Sequence, residues 1–312
     1  MEVTPELFVT FRLPPELAAL QDGRFTLHLS HGESPQLPDA QRAAVRGLVT
    51  NGIRGADRAL IDYFPNLEII ASLGIGLDAL DLAAARSRKL VVTHTPGVVA
   101  DDVADLAMAL LIDRCRHVQE ANRFLLAGKW SKGPFPLARS LTGMTLGIVG
   151  LGAIGAAVAR RAEAFCMRVK WYGPRAKPAV AQEYVPDLVQ LATQSDALVI
   201  ACAGGPATRH LINAPVLRAL GEQGILVNVA RGSVVDSAAL IAALKSGELG
   251  TAALDVFEQQ PQVPPELLSM SHVLLTPHLG TATRETRGRM GAMVIQSLLD
   301  HFSGRPPKNR VA

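Results

Sequence analysis

The chain has 312 residues, of which 48% are hydrophobic and 19% charged. That length carries two domains with cores of their own, and that composition fits a globular rather than a disordered protein. With 31 basic against 28 acidic residues the net charge is +3, too balanced for nucleic acid or a membrane surface to be the main partner.

In chain order, short apolar runs alternate with helical patterns almost from end to end, the mark of parallel βαβ units. The first part predicts strands at residues 7–10, 25–29, 47–49, 68–71 and 90–93, separated by helices near 14–20, 39–45, 58–63 and 80–86. His94-Thr95-Pro96-Gly97 interrupts this pattern, and one long helix is expected from Asp101 or Asp102 to Ala127, with acidic residues in its first turn. Pro134 and Pro136 mark a loop. A second series predicts strands at 145–149, 169–172, 197–201, 225–228, 251–253 and 273–275, and a last helix covers about 283–301.

A chain that leaves its first domain by one helix can return to it by the last. The expected division is therefore 1–97 plus 287–312 as one domain and 98–286 as the other. The fold class is α/β, with two doubly wound parallel-sheet domains: a Rossmann cofactor domain and a flavodoxin-like substrate domain, with a cleft between them.

The cysteines Cys115, Cys166 and Cys202 lie in apolar surroundings and read as reduced core thiols of an intracellular protein. No cysteine or histidine pair has zinc-like spacing, so no metal is expected. The opening Met1-Glu2-Val3-Thr4-Pro5-Glu6 lacks a basic region followed by an apolar stretch, and no apolar run reaches the length of a membrane span. The expected compartment is the cytoplasm.

The turn Gly150-Leu151-Gly152-Ala153-Ile154-Gly155 follows the apolar run 146–149 and opens a helical pattern. Strand, glycine turn and helix start supply what a pyrophosphate needs, bare N–H groups and a positive dipole end. An acidic residue at the end of the next strand would bind the ribose hydroxyls of NAD. That strand ends instead in Gly173-Pro174-Arg175-Ala176-Lys177. Arg175 can grip a 2′-phosphate in a charge-assisted fork, so NADP(H) is preferred and NAD(H) stays open. The alternative for Arg175 is a solvated surface charge.

Arg231 follows the strand ending at Asn228, and His278 follows the strand ending at Leu275. Open α/β sheets bind ligands along that carboxyl edge, so the two point to one site. The chain resembles the D-isomer-specific 2-hydroxyacid dehydrogenases through a set of segments in order. They are Ser72-Leu73-Gly74-Ile75-Gly76-Leu77-Asp78, Thr95-Pro96-Gly97-Val98, Asp101-Asp102-Val103-Ala104-Asp105, Gly128-Lys129-Trp130, the glycine turn, Ala230-Arg231-Gly232, Ala253-Leu254-Asp255-Val256-Phe257 and Thr276-Pro277-His278. Within that family it is most similar to the hydroxypyruvate/glyoxylate reductases, including hydroxyphenylpyruvate reductases.

The resemblance implies that Arg231 binds and polarises a 2-oxo acid while His278 donates a proton to the developing alkoxide. It implies that Asp255 holds the nicotinamide carboxamide and that backbone N–H groups of Leu73, Gly74, Ile75 and Gly76 take a carboxylate oxygen. Cofactor contacts are implied at Gly150, Gly152, Ala153, Ile154, Gly155, Val229, Ala230 and Gly280. The expected reaction is NADPH-dependent reduction of glyoxylate or hydroxypyruvate to the D-2-hydroxy acid. Hydroxyphenylpyruvate or 2-ketogluconate is the bulkier alternative, and Arg54 is a candidate for a polar substrate tail.

One position departs from the family pattern. Where its catalytic glutamate stands, just before a proline, this chain has Gln260, and Glu258 comes two residues early, as an expected solvated loop charge. A glutamate raises the pKa of the histidine and an amide does not, so activity is expected to favour acidic pH. Glutamine here also fits a formate dehydrogenase-like enzyme, and weak catalysis fits a nucleotide-sensing corepressor. The resemblance further implies a homodimer paired through the segment Asp101–Leu141, with Trp130 and Phe135 as anchors.

Overall fold

Runs such as Leu7-Phe8-Val9 and Ile69-Ile70-Ala71 are apolar at every position, so a strand built from them must be covered on both faces. The computed structural model describes residues 4–30 and 35–311 and builds these runs into two all-parallel sheets. Met1 to Val3 of the amino terminus read above lie outside the described residues. The chain divides into two compact units, Met1–Val99 with Thr283–Ala312, and Ala100–Ala282.

The first unit opens with Glu6–Val9 (β1), Thr26–Leu29 (β2), Asp39–Ala44 (α1), Val45–Asn51 (β3), Arg58–Tyr63 (α2), Ile69–Leu73 (β4), Leu82–Ser87 (α3) and Val91–Thr93 (β5). Its sheet order is β2-β1-β3-β4-β5, a doubly wound order that reverses between β1 and β3. Asp57 and Asp81 cap α2 and α3, accepting from Leu60 N at 2.8 Å and Ala84 N at 2.7 Å. One face of the sheet packs Phe8 against Phe64, ring centroids 5.0 Å apart, with Ile61, Ile70 and Ala84 fully buried beside them.

The second unit runs Ala100–Arg116 (α4), Val118–Leu126 (α5), Thr145–Val149 (β6), Ala153–Ala164 (α6), Arg168–Tyr172 (β7), Glu183–Tyr184 (β8), Leu188–Thr193 (α7), Ala197–Ile200 (β9), Ala214–Leu220 (α8), Ile225–Asn228 (β10), Ser237–Ser246 (α9), Thr251–Leu254 (β11), Pro265–Ser269 (α10) and Val273–Leu275 (β12). The sheet order is β12-β11-β10-β9-β6-β7-β8. The order reverses between β6 and β9, which is the dinucleotide-binding arrangement with one strand added at the edge. The chain then returns to the first unit as Arg284–Phe302 (α11), capped by Thr283.

Several expectations are corrected. The single helix over 101–127 is two helices, broken at His117, whose φ is +52°. The cause is the buried Arg114 guanidinium, 1% exposed, which pairs with Asp113 at 2.5 Å and Glu120 at 2.8 Å. Six positions along a straight helix is a rotation of about 240°, which would carry Glu120 away from Arg114. The left-handed turn brings it back, and the Asp113 carboxylate also accepts from Gln119 N at 2.9 Å, at the start of α5.

Residues 15–21 form a 3₁₀ rather than an α-helix, and β8 adds a strand of two residues, too short to show a period in the sequence. Cys166 is exposed with a positive φ, not a core thiol, while Cys115 is buried and Cys202 half-buried. Burial pushes the thiols of Cys115 and Cys202 up to about 11. Among the described residues no helix is long and apolar enough to cross a membrane.

Candidate active site

Four strands of the second sheet deliver the residues singled out above to the same carboxyl edge: β6 leads into the glycine turn, β10 into Arg231, β11 into Asp255 and β12 into His278. At the end of β6, Gly150 turns with φ +93° and its N–H donates to Tyr172 O at 2.8 Å. A Cβ there would lie 2.6 Å from Cys202 Cα, and one at Gly155 would collide with the Gly150 carbonyl. Only glycine lets this turn and this helix approach so closely.

A Cβ at Gly152 would meet nothing within 4 Å, so the start of α6 is open above Ala153 and Ile154. Gly152 offers no capping side chain, and the first N–H groups of α6 are left to a ligand. These residues fit a dinucleotide pyrophosphate.

The loop that follows β7 carries Arg175, which is exposed. Its anchor is a residue that sequence reasoning passed over. Lys177 Nζ donates to the carbonyl of Leu151 in the glycine turn at 2.5 Å and lies 6.0 Å from the centroid of the buried Trp171 ring. Tyr184 OH donates to Gly173 O at 3.0 Å, and Trp171 Nε1 to Gln182 O at 3.1 Å. The basic loop is thus fastened to the turn that precedes α6.

The end of β10 is shaped by Asn228, a polar residue closing an apolar strand and 1% exposed. Its Oδ1 accepts from Ala230 N at 3.1 Å and its Nδ2 donates to Arg231 O at 3.0 Å. Val229 and Ala230 are buried, and Arg231 is half-buried, with Nη1 donating to Ala230 O at 2.8 Å.

Asp255 is 1% exposed, and its carboxylate is taken up by its own chain. Oδ1 accepts from Thr276 Oγ1 at 2.6 Å and Leu279 N at 2.7 Å, and Oδ2 from Gly280 N at 2.9 Å. Its backbone joins both neighbouring strand ends: Asp255 N donates to Asn228 O, and Asp255 O accepts from His278 N, each at 3.0 Å. What Asp255 does in this structure is to hold His278, half-buried with φ +56°, in a left-handed loop.

Beside that loop Gln260 Nε2 lies 3.0 Å from His278 Nδ1, and Gln260 Oε1 accepts from Phe257 N at 3.4 Å. Glu258 does not take its place. Its carboxylate pairs with His210 Nε2 at 2.7 Å and Arg209 Nη2 at 3.0 Å, so it is an ion-paired group rather than the solvated charge expected. Burial alone would raise its pKa, but hydrogen bonds from His210 and Ser237 and the charges of His210 and Arg209 hold it below the usual carboxylate value.

In the first unit, Leu73 is the buried end of β4 and Gly74-Ile75-Gly76 follow half-buried. The loop after β5 braces them: Thr95 N donates to Gly74 O at 2.9 Å and His94 Nδ1 lies 3.3 Å from Ile75 O. Arg54 is exposed in a turn organised by Asn51, whose Oδ1 accepts from Ile53 N and Arg54 N. It lines a cavity of about 410 Å³ together with Phe8, Thr10, Asp57, Leu60 and Tyr63. Among the described residues no group of three or more histidine, cysteine or acidic side chains is placed to hold a metal.

Residues 108–280 match the model of the D-isomer specific 2-hydroxyacid dehydrogenase NAD binding domain. The chain is 45% identical to a glyoxylate/hydroxypyruvate reductase of Arabidopsis thaliana over 88% of this chain and 87% of that protein. It is 44% identical to the hydroxyphenylpyruvate reductase of Plectranthus scutellarioides, covering 85% of each. An NADPH-dependent glyoxylate/hydroxypyruvate reductase of Sinorhizobium meliloti, solved with NADP and malonate, superposes with a TM-score of 0.94 at 37% identity, over 99% of this chain and 97% of that one. The chain therefore belongs to the D-isomer-specific 2-hydroxyacid dehydrogenases.

Proposed function

We propose that this enzyme reduces glyoxylate or hydroxypyruvate to the D-2-hydroxy acid with NADPH as hydride donor. The observation that carries the reading is the shared carboxyl edge of β6, β10, β11 and β12, which brings a nucleotide turn, a guanidinium and an imidazole to one side of one sheet. The glycine turn and the start of α6 hold the pyrophosphate, Val229, Ala230 and Gly280 line the nicotinamide side, and Arg175 grips the 2′-phosphate. The cofactor supplies a hydride to the carbonyl carbon.

Arg231 binds the substrate carboxylate and draws electron density towards the carbonyl oxygen. His278 stands by that oxygen as proton donor. Asp255 keeps one acceptor direction on Oδ2 for the carboxamide, and its larger task is to hold the His278 loop. To the loop Leu73–Gly76 and to Arg54 we assign further substrate contacts. A second reading, supported by the likeness to a hydroxyphenylpyruvate reductase, is a bulkier 2-oxo acid such as hydroxyphenylpyruvate or 2-ketogluconate.

Steady-state reduction of a panel of 2-oxo acids with NADPH, repeated with NADH and followed by chiral analysis of the product, tests the assignment. Turnover of none of the acids would overturn it.

We also assign a homodimer. The segment Val118 to Leu137 exposes Val118, Leu125, Leu126, Trp130 and Leu137, between 52% and 100%, more apolar side chain than a monomer normally leaves in water. Phe135 packs edge-on to Phe124 at 5.3 Å and stiffens this segment. Sedimentation of the wild-type chain as a dimer, and of Leu126→Glu as a monomer, is the expected result; a wild-type monomer would refute it. A cytoplasmic location is supported by three cysteines that form no disulfide.

A further inference from the structure

We propose that Gln260 fixes the neutral His278 ring in the tautomer that carries its proton on Nε2, and that the backbone N–H of Phe257 decides this. The proposal deepens the reading of His278 given above and rests on it for its meaning in catalysis.

A carboxamide has one end that only accepts and one end that only donates. The Phe257 N–H is a donor, so the end of Gln260 facing it, at 3.4 Å, is the oxygen. The NH₂ end then faces His278 Nδ1 at 3.0 Å. An amide nitrogen has no lone pair to offer, so Nδ1 must accept and cannot carry the proton. Turning the amide over would satisfy an Nδ1–H, but would set the NH₂ against the Phe257 N–H, donor against donor. Either way the ring with a proton on Nδ1 loses one hydrogen bond that the Nε2–H tautomer keeps.

A glutamate at this position would behave in the opposite sense. Both carboxylate oxygens accept, so one takes the Phe257 N–H while the other takes Nδ1–H. Exchanging one side-chain atom type at 260 therefore reverses which ring nitrogen is bare. At Asp255 the loop is held by the main-chain N–H groups of His278, Leu279 and Gly280 and by the Thr276 hydroxyl. In the wild-type protein the neutral ring presents Nε2–H as a hydrogen-bond donor. Gln260 and the Phe257 amide are positioning groups for His278.

Two-bond ¹H–¹⁵N correlation spectra of the full chain, selectively labelled at its 8 histidines, read the tautomer directly. The His278 signals are assigned by their loss in His278→Gln. Near pH 9, above the ordinary histidine range, the wild type is expected to show Nε2 protonated and Nδ1 bare, as one species. Gln260→Glu is expected to show the reverse, and Gln260→Met a mixture of both forms. A wild-type ring protonated on Nδ1, or a mixture matching that of Gln260→Met, would overturn the proposal. The wild-type spectrum decides the matter even if Gln260→Glu fails to fold. Because no substrate is present, the result is separate from the functional reading: turnover of 2-oxo acids alongside an Nδ1–H ring would sink the tautomer alone.

Discussion

Asp255 and Gly280 are joined across two adjacent strand ends, the buried carboxylate of one accepting the backbone N–H of the other at 2.9 Å. With the parallel bond to Leu279 N at 2.7 Å, this makes the loop that carries His278 an extension of β11. Asp255→Asn turns one acceptor into a donor and leaves at least one N–H buried without a partner, at a cost of about 1–3 kcal/mol. Both the melting temperature and kcat are expected to fall, and KM for NADPH to rise as the acceptor for the carboxamide is disturbed. A variant that melts like the wild type and retains full kcat would show that the loop needs no such tether.

The amide at 260 also predicts the pH dependence of turnover. Proton donation needs a charged ring, and Gln260 offers it no counter-charge at 3.0 Å. Activity in the reductive direction is therefore expected to favour acidic pH. Gln260→Glu favours the charged ring and should carry the active range upward, each unit corresponding to about 1.4 kcal/mol. The kcat/KM profile of both proteins against pH checks this; superimposable profiles would contradict it.

Arg175 and Lys177 stand two residues apart and are expected to fail differently. Arg175 is exposed, so Arg175→Met should raise KM for NADPH on the order of tenfold, about 1.4 kcal/mol, and leave NADH nearly unchanged. Lys177 ties the loop to Leu151 of the glycine turn, so Lys177→Met should weaken both cofactors. Equal effects of the two substitutions on the NADPH/NADH ratio would remove the distinction.

Glu258 yields a prediction about stability rather than chemistry. Its carboxyl is held below the usual value by His210, Ser237 and Arg209. A depressed folded-state pKa adds stability that is present above the unfolded value and is lost as pH falls through the folded one. Glu258→Gln should therefore lower the melting temperature at pH 7 and converge with the wild type only as pH falls below the depressed folded-state value. Its pH–rate profile should match the wild type, because Glu258 bonds His210 and Arg209 rather than His278. A changed profile would restore Glu258 as a partner of the catalytic ring.

Much of the fold and of the site is legible in the order of the residues. Strands such as Leu146–Val149 and Ile225–Val227 carry almost unbroken apolar runs because both faces of a parallel sheet are covered, and that pattern survives in one dimension. The glycine turn is legible for a related reason, since only glycine tolerates the φ of Gly150 and the contact at Gly155. The break at His117 is not, because it answers to a buried arginine that needs Glu120, and helical periodicity says nothing about such a demand. Nor is the state of Glu258, whose partners lie 48 and 49 positions earlier in the chain. Asn228 leaves a faint trace as a polar end to an apolar strand, yet its two bonds to the Arg231 turn are invisible there.

By itself the sequence determined which residue types reach the carboxyl edge of the second sheet, because strand, turn and helix follow from local pattern and glycine sterics. It also determined that an amide, not a carboxylate, stands at 260. Only the tertiary structure decided what those groups do to each other: that Asp255 is occupied by the loop of His278, that Lys177 anchors the basic loop, and that Phe257 sets the direction of the Gln260 amide. Hydrogen bonds between residues distant in the chain depend on three-dimensional placement and on which end of each group is donor or acceptor. Neither is written in one dimension.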